Sequence, residues 1–218
     1  MRSSSLPALS SLLVYTPLLL LHSTESQLVV SKYELRVTPD YTATELSSFV
    51  GSSAVYALVE SNADVLVFDA DELELSDVTV TDVASGNSVP VREVELRPDA
   101  KEVAVHLESP VEAGARLVVR FPDYSGRIGD VPSDGGLVRL PTYIDSEETP
   151  YGRFLLTTLL GGGRPRGVSS LMPCVLASTS PVEHLLRVVH PMDLAALSNT
   201  RAELVSAPGN GLAESQFF

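Results

Sequence analysis

Short apolar runs with a period of two residues constrain the fold of this chain more than any other feature. At residues 33–38, 103–107 and 117–121, apolar side chains occupy every second position. Successive side chains of a β-strand point to opposite faces of a sheet, so each run would bury one face. Turn-forming clusters such as Ser85-Gly86-Asn87 and Arg97-Pro98-Asp99 separate the runs. We therefore predict an all-β fold, an antiparallel β-sandwich or saddle.

Length and charge limit the possible classes of protein. The chain has 218 residues, enough for one large domain or two small ones, and a formal net charge of −13. Such a surface repels phosphates, so we expect no nucleic-acid partner. The single cysteine, Cys174, allows neither an intrachain disulfide nor a cysteine-based zinc cluster.

The N-terminus has the composition of a targeting segment. Arg2 precedes a short apolar core at residues 12–21, and Thr24 and Ser26 are small residues suitable for cleavage before Gln27. The core is too short to span a bilayer comfortably. We therefore predict a signal peptide at residues 1–26 and a secreted protein. The alternative is a signal anchor, which would leave the domain attached to a membrane on its extracellular side.

A motif near the end of the chain has a specific resemblance. Met172-Pro173-Cys174 is followed by His190-Pro191, then by Asp193-Leu194 and by Ala196-Leu197-Ser198-Asn199. The run resembles a stretch in the N-terminal β-domain of the aminopeptidase N family of zinc metallopeptidases, the gluzincins. There the pattern is roughly F-P-C-F-D-E-P, a strand, then P-x-D-L-x-A-L-S-N.

Further matches follow in the same order along residues 27–218. The run at 33–40 resembles the opening strand of the family, and Phe49-Val50-Gly51 resembles its F-x-G strand. Tyr124-Ser125-Gly126 resembles its Y-x-G motif. One strand of the family usually ends in I-x-L-H-A, but here Phe68 replaces the histidine.

The resemblance implies where catalysis would take place. In that family the zinc site lies in a domain after this one, and this chain ends at Phe218. We therefore expect residues 27–218 to be the N-terminal β-domain, degenerate and incomplete at its C-terminal end. Past the hairpin at Gly209-Asn210-Gly211, only Phe217-Phe218 would begin the next strand of the family. An open sheet edge would then be available to a missing catalytic domain or to another protein.

The chain also departs from the family in the segment that lines the substrate pocket. T-Q-F-E-P-T-D-A-R-R is replaced by an unrelated sequence at residues 158–171, and the D-E-P after the cysteine is replaced by Leu176-Ala177-Ser178. We therefore assign no substrate contact, and no catalytic, cofactor-binding or metal-binding residue, to this chain. Zinc would belong to the full-length family.

Apart from the family resemblance, the sequence contains few residue patterns that are typical of a catalytic or metal-binding site. There is no His-Glu-x-x-His motif, and His184 and His190 would lie about 20 Å apart on one strand, too far to bind one metal. With His106 they are predicted to be ordinary strand residues. Cys174 is interpreted as a buried small residue. Asp69, Asp71 and Glu72 lack the glycine and terminal glutamate of a calcium loop, and we interpret them as a solvated strand edge.

Three functional hypotheses follow. The first is a secreted, non-catalytic aminopeptidase N-like domain that binds or packs. The second is the N-terminal fragment of a zinc metalloaminopeptidase that removes N-terminal residues from peptides. The third is an unrelated secreted adhesion β-sandwich, which the ordered motifs disfavour.

Overall fold

The chain folds almost entirely into β-strands, as the alternating pattern predicts. The computed structural model describes residues 28–41, 47–129, 136–139, 143–144, 150–151, 155–157, 166–177 and 181–218. The signal segment proposed for residues 1–26 therefore lies outside the described residues. The strands in chain order are β1 (Leu28–Pro39), β2 (Ser48–Val59), β3 (Ala63–Asp69), β4 (Glu74–Leu75), β5 (Thr79–Asp82), β6 (Ser88–Val89), β7 (Val91–Arg97), β8 (Glu102–Val111), β9 (Arg116–Arg127), β10 (Leu137–Arg139), β11 (Tyr143–Ile144), β12 (Pro150–Tyr151), β13 (Leu155–Thr157), β14 (Glu183–Pro191), β15 (Glu203–Gly209) and β16 (Leu212–Phe217).

Two sheets carry most of the fold. The large sheet has nine strands in the order β15-β16-β14-β1-β2-β9-β5-β6, with β4 also paired to β9. A three-stranded sheet has the order β3-β8-β7, and two small pairs join β10 to β13 and β11 to β12. The all-β prediction is confirmed.

One pairing departs from the antiparallel pattern. Strand β1 pairs antiparallel with β2 on one side but parallel with β14 on the other, with Lys32 opposite Glu183 and Val37 opposite Val188. Every other pair among the described strands is antiparallel. The large sheet is therefore mixed, since a strand from late in the chain lies beside the first one.

The core lies between the large sheet and the three-stranded sheet. Tyr33, Leu35 and Val37 of β1 are buried on the inner face of the large sheet. Phe68 of β3 meets Phe121 of β9 edge-to-face, with ring centroids 5.3 Å apart. Such aromatic pairs stabilise a core beyond the area they bury. The opposite, outer face of the large sheet is turned away from this core.

The C-terminal hairpin corrects one prediction. Phe217-Phe218 was expected to begin a further strand past the hairpin at Gly209-Asn210-Gly211, and this is wrong, because Phe217 is the last residue of the second hairpin strand. Strand β16 begins at Leu212 and pairs with β14 on one side and β15 on the other. On this side the sheet ends at β15, whose pairing with β16 shifts register twice. The inner face of β16 carries the small residues Ala213 and Ser215 beside Phe217, so its apolar alternation in the sequence is weak.

Helix contributes little to the described structure. The only α-helix within the described ranges is α1 (Arg166–Ser169), four residues long. No helix in that part of the chain is long and apolar enough to cross a bilayer.

Candidate functional site

The segment that carries the cysteine motif is fixed to the end of β3 by Asp69. The Asp69 amide donates to the Cys174 carbonyl at 2.7 Å, and the Cys174 amide donates to the Asp69 carbonyl at 3.0 Å. The Asp69 carboxylate also accepts a hydrogen bond from the Leu176 amide at 2.9 Å. We call residues 166–177 the docked segment. Asp69 was interpreted from sequence as part of a solvated strand edge, which is wrong, because its carboxylate and backbone hold this segment.

Tyr33 holds the same segment from the large sheet. Its hydroxyl accepts a hydrogen bond from the Val175 amide at 2.9 Å, and its ring stacks on His184 with 5.5 Å between centroids. Burial raises the pKa of Tyr33 and lowers the pKa of His184 from its ordinary 6.5. Both side chains are therefore neutral at pH 7, so this contact is built by packing and neutral hydrogen bonds.

Cys174 is inaccessible for chemistry in this position. Only 2% of its surface is exposed, which confirms the prediction that it is a buried small residue. Burial, and then the negative charge of Asp69, raise the pKa of the thiol well above its ordinary value. A protonated and buried thiol is a poor nucleophile.

The neighbouring acidic residues Asp71 and Glu72 have structural positions too, since Asp71 contacts the docked segment and Glu72 lies on the surface. The Asp71 amide donates to the Ser169 carbonyl at 2.9 Å, and its carboxylate pairs with Lys101 at 2.7 Å. Glu72 is exposed and has a left-handed φ of 56°. These contacts join the docked segment to the turn after β3.

The other two histidines among the described residues, His106 and His190, lie apart on separate sheets. His106 of β8 contacts the Glu95 carboxylate at 3.0 Å, beside Arg97 at 2.7 Å. The hydrogen bond from Arg97, and then the one with His106, lower the pKa of Glu95 to about 2. His190 of β14 is buried, with Nε2 2.9 Å from the Ser215 hydroxyl and Nδ1 2.8 Å from the Pro191 carbonyl. Neither the Glu95–His106 contact nor the Ser215–His190 contact is indicated by a pattern in the sequence.

No metal centre is formed by these side chains. Within the part of the chain that the structure describes, no group of three or more His, Cys, Asp or Glu residues could hold a metal ion. The pocket-lining region compared with the family, residues 158–171, is described only from residue 166. The assignment of no catalytic residue to this chain stays a prediction.

One loop presents apolar side chains to solvent. Directly after β14, Met192, Leu194 and Leu197 are 65%, 45% and 91% exposed. We call these three residues the apolar ridge. The Met192 amide donates to the Gly211 carbonyl at 2.9 Å, so the start of the loop is tied to the C-terminal hairpin. Three exposed large apolar side chains within six residues make this loop a candidate contact surface for another protein or domain.

The comparison with known protein families agrees with this architecture. The model of the peptidase M1 N-terminal domain matches residues 29–218, which includes the docked segment and the apolar ridge. A search of curated proteins finds no match to the chain. Since the family match spans nearly all of the sequence, the chain belongs to the peptidase M1 family as an N-terminal domain of the aminopeptidase N type.

Proposed function

We propose that this domain is a non-catalytic module, exported from the cell, that packs through the apolar ridge against a zinc peptidase domain of the same family. The single observation that carries the proposal is the exposure of Met192, Leu194 and Leu197 within one loop. Complete burial of a fully exposed large apolar side chain is worth about 1.5–3 kcal/mol, and each ridge residue can gain the share of this that its exposed surface represents. Three such side chains therefore favour a partner that covers them.

The chemistry of the described residues supports a packing role. A zinc aminopeptidase site needs three protein ligands, an open coordination position and a general base. The sequence lacks the His-Glu-x-x-His motif that would supply two ligands and the base. The histidines and the cysteine described above are engaged in structural contacts within the domain. Zinc and peptide cleavage would thus belong to a catalytic domain, on the same polypeptide or on another one.

The second candidate is that the chain is the N-terminal part of an active zinc metalloaminopeptidase. Membership of the M1 family favours it, because the resemblance places the catalytic zinc domain after this one. This second candidate assigns the same non-catalytic packing role to the N-terminal domain as the first one does. The third hypothesis, an unrelated adhesion sandwich, loses its basis once the family is known.

Catalytic capacity is tested on the purified chain incubated with zinc and a panel of aminoacyl p-nitroanilides. We expect no chelator-sensitive release of p-nitroaniline and less than stoichiometric zinc after dialysis. Tightly bound zinc at one ion per chain, together with chelator-sensitive hydrolysis, would falsify the non-catalytic assignment.

The packing role is tested by titrating the chain with the separately expressed zinc peptidase domain of an M1 aminopeptidase in a calorimeter. We expect saturable binding that Leu197→Ser weakens by at least about tenfold, since the contact loses a buried side chain. Val83→Ser is the matched control, because Val83 is also exposed but lies outside the ridge. Equal weakening by both substitutions, or no binding by the wild-type chain, would contradict the ridge as the contact surface.

A further inference from the structure

A groove crosses the outer face of the large sheet at its centre. Its floor is formed on β2 by Ser52 and Ala54, which have small side chains. Long side chains flank them, because Arg36 lies opposite Ser52 on β1 and Arg120 lies opposite Ala54 on β9. Arg187 of β14 lies directly beside Arg36. The resulting groove is open to solvent and has a volume of about 310 Å³.

The charge of the groove is opposite to that of the chain as a whole. Three arginines and one glutamate, Glu34, line it, whereas the chain carries a formal charge of −13. Glu214, on β16, pairs with Arg36 at 3.0 Å and lies 4.0 Å from Arg187. It neutralises part of the positive charge from one side. Even with Glu214 counted, positive groups outnumber negative ones at this place.

The arginines retain hydrogen-bonding capacity. A guanidinium has five N–H donors. Arg187 uses Nε for the Gln216 side chain at 2.9 Å, and Arg36 uses Nε for Glu214 and Nη1 for the Thr38 hydroxyl at 3.5 Å. The side chain of Arg120 has neither a hydrogen-bond nor an ion-pair partner among the described residues, and it is exposed. Several donors in the groove are therefore available to an added acceptor.

Glu34 does not occupy the free N–H donors of the groove arginines. Its carboxylate accepts a hydrogen bond from the Tyr56 hydroxyl at 3.1 Å and pairs with Lys32 at 2.9 Å. Desolvation alone would raise the pKa of Glu34, but the hydrogen bonds from Lys32 and Tyr56 outweigh it and lower the pKa. Glu34 is thus ionised at neutral pH with Lys32 and Tyr56 as its hydrogen-bond partners, and the charge of Arg187 also contributes to its lowered pKa.

We propose that this groove binds a short peptide carrying two carboxylates, one near Arg120 and one near Arg36 and Arg187. Strand β2 lies between β1 and β9, so the two walls stand about 10 Å apart. Carboxylates on alternate residues of an extended peptide are spaced by about 7 Å along its backbone, and flexible glutamate side chains extend that reach. Arginine is also suited to bidentate recognition of carboxylates.

The volume of the groove and the acidic charge of the rest of the chain favour a short peptide over a bare inorganic anion or a long polyanion. A bare inorganic anion would fill a small part of 310 Å³ and leave the apolar lining residues Leu185 and Pro122 without contact. A long polyanion would meet the acidic remainder of the surface, which repels it. Repulsion between exposed charges is screened beyond about 8 Å at physiological salt, so a tripeptide experiences mainly the local positive groove.

The proposal is tested by calorimetry and amide chemical-shift mapping of the full chain with the peptide Ac-Glu-Ser-Glu-NH2. We expect a dissociation constant on the order of millimolar at low salt, with shifts confined to β14, β1, β2 and β9. Arg120→Gln should weaken binding by at least about fivefold. Arg116→Gln is the matched control, because Arg116 is on the same strand and is exposed but does not line the groove. It should change affinity by less than about twofold.

Other outcomes separate this site from non-specific attraction. Equal affinity for Ac-Gln-Ser-Gln-NH2 would overturn carboxylate recognition, and equal affinity for sodium sulfate would overturn the assignment of a peptide. Equal weakening by Arg116→Gln and Arg120→Gln would mean that net charge alone drives binding. No saturable binding by the wild-type chain would show a solvated sheet face with no ligand. Arg187→Gln provides a second variant from the opposite wall if Arg120→Gln alters the thermal melt.

Discussion

At the scale of single residues, two glycines explain a pair of motifs that the sequence shares with its family. Phe49 lies opposite Gly126, and Gly51 lies opposite Tyr124, where β2 pairs with β9. The two rings meet edge-to-face, with 6.4 Å between centroids. A Cβ at Gly51 would come within 2.5 Å of the Tyr124 ring, and one at Gly126 would overlap the Phe49 ring. The F-x-G and Y-x-G motifs are thus complementary halves of one packing unit.

Gly51→Ala tests this unit. We expect the substitution to lower the free energy of unfolding by about 1–3 kcal/mol, since Tyr124 is buried and must shift to admit a methyl group. Urea unfolding followed by circular dichroism measures the change. Val50→Ala, at an exposed neighbouring position, should have an effect within about 0.5 kcal/mol of zero. A Gly51→Ala protein as stable as wild type would mean that Tyr124 moves without cost.

At the scale of elements, strand β1 organises both faces of the large sheet. Its inner face places Tyr33 against the docked segment, and its outer face places Glu34 and Arg36 in the groove. The parallel partner β14 contributes to the same two places through His184 and Arg187. One pair of neighbouring strands therefore positions the docked segment and the groove together.

Tyr33→Phe tests how the docked segment is held. The change leaves the Val175 amide without its acceptor, which we expect to cost about 1–2 kcal/mol of stability. Hydrogen exchange at the Val175 amide should accelerate more than exchange in the core strands, because the segment opens locally. Tyr56→Phe is the control, since the Tyr56 hydroxyl bonds the surface residue Glu34 and not the backbone. Uniform acceleration across the domain would contradict a local role for Tyr33.

The sequence predicts the positions of the strands better than it predicts which strands pair and which distant residues make contact. Alternation at residues 33–37 identifies β1 and its buried face, but it carries no information on strand direction, so the parallel pairing with β14 could not be foreseen. The anchoring role of Asp69 was missed because its partners Cys174 and Leu176 lie more than 100 residues away. The groove was missed for the same reason, since its arginines come from three strands distant in sequence.

At the scale of the whole molecule, the C-terminal hairpin closes one side of the large sheet. Deleting residues 203–218 removes β15 and β16, exposes the ladder of β14 and takes the buried Phe217 out of the structure. We expect this variant to self-associate in size-exclusion chromatography with light scattering, because a bare strand edge recruits other chains. Deleting only Phe218, which is exposed, should leave the elution profile unchanged. A monomeric, cooperatively melting deletion variant would show that β14 protects its own edge.

The parallel contact between β1 and β14 also affects biosynthesis. Lys32 and its partner Glu183 are separated by about 150 residues, so β1 leaves the ribosome long before its neighbour exists. At about 5–20 residues per second, translation of the intervening chain takes about 8–30 s. Throughout that interval β2 can cover one side of β1 while the other side stays open. A nascent chain stalled before residue 183 would therefore be the form of this protein most in need of a chaperone.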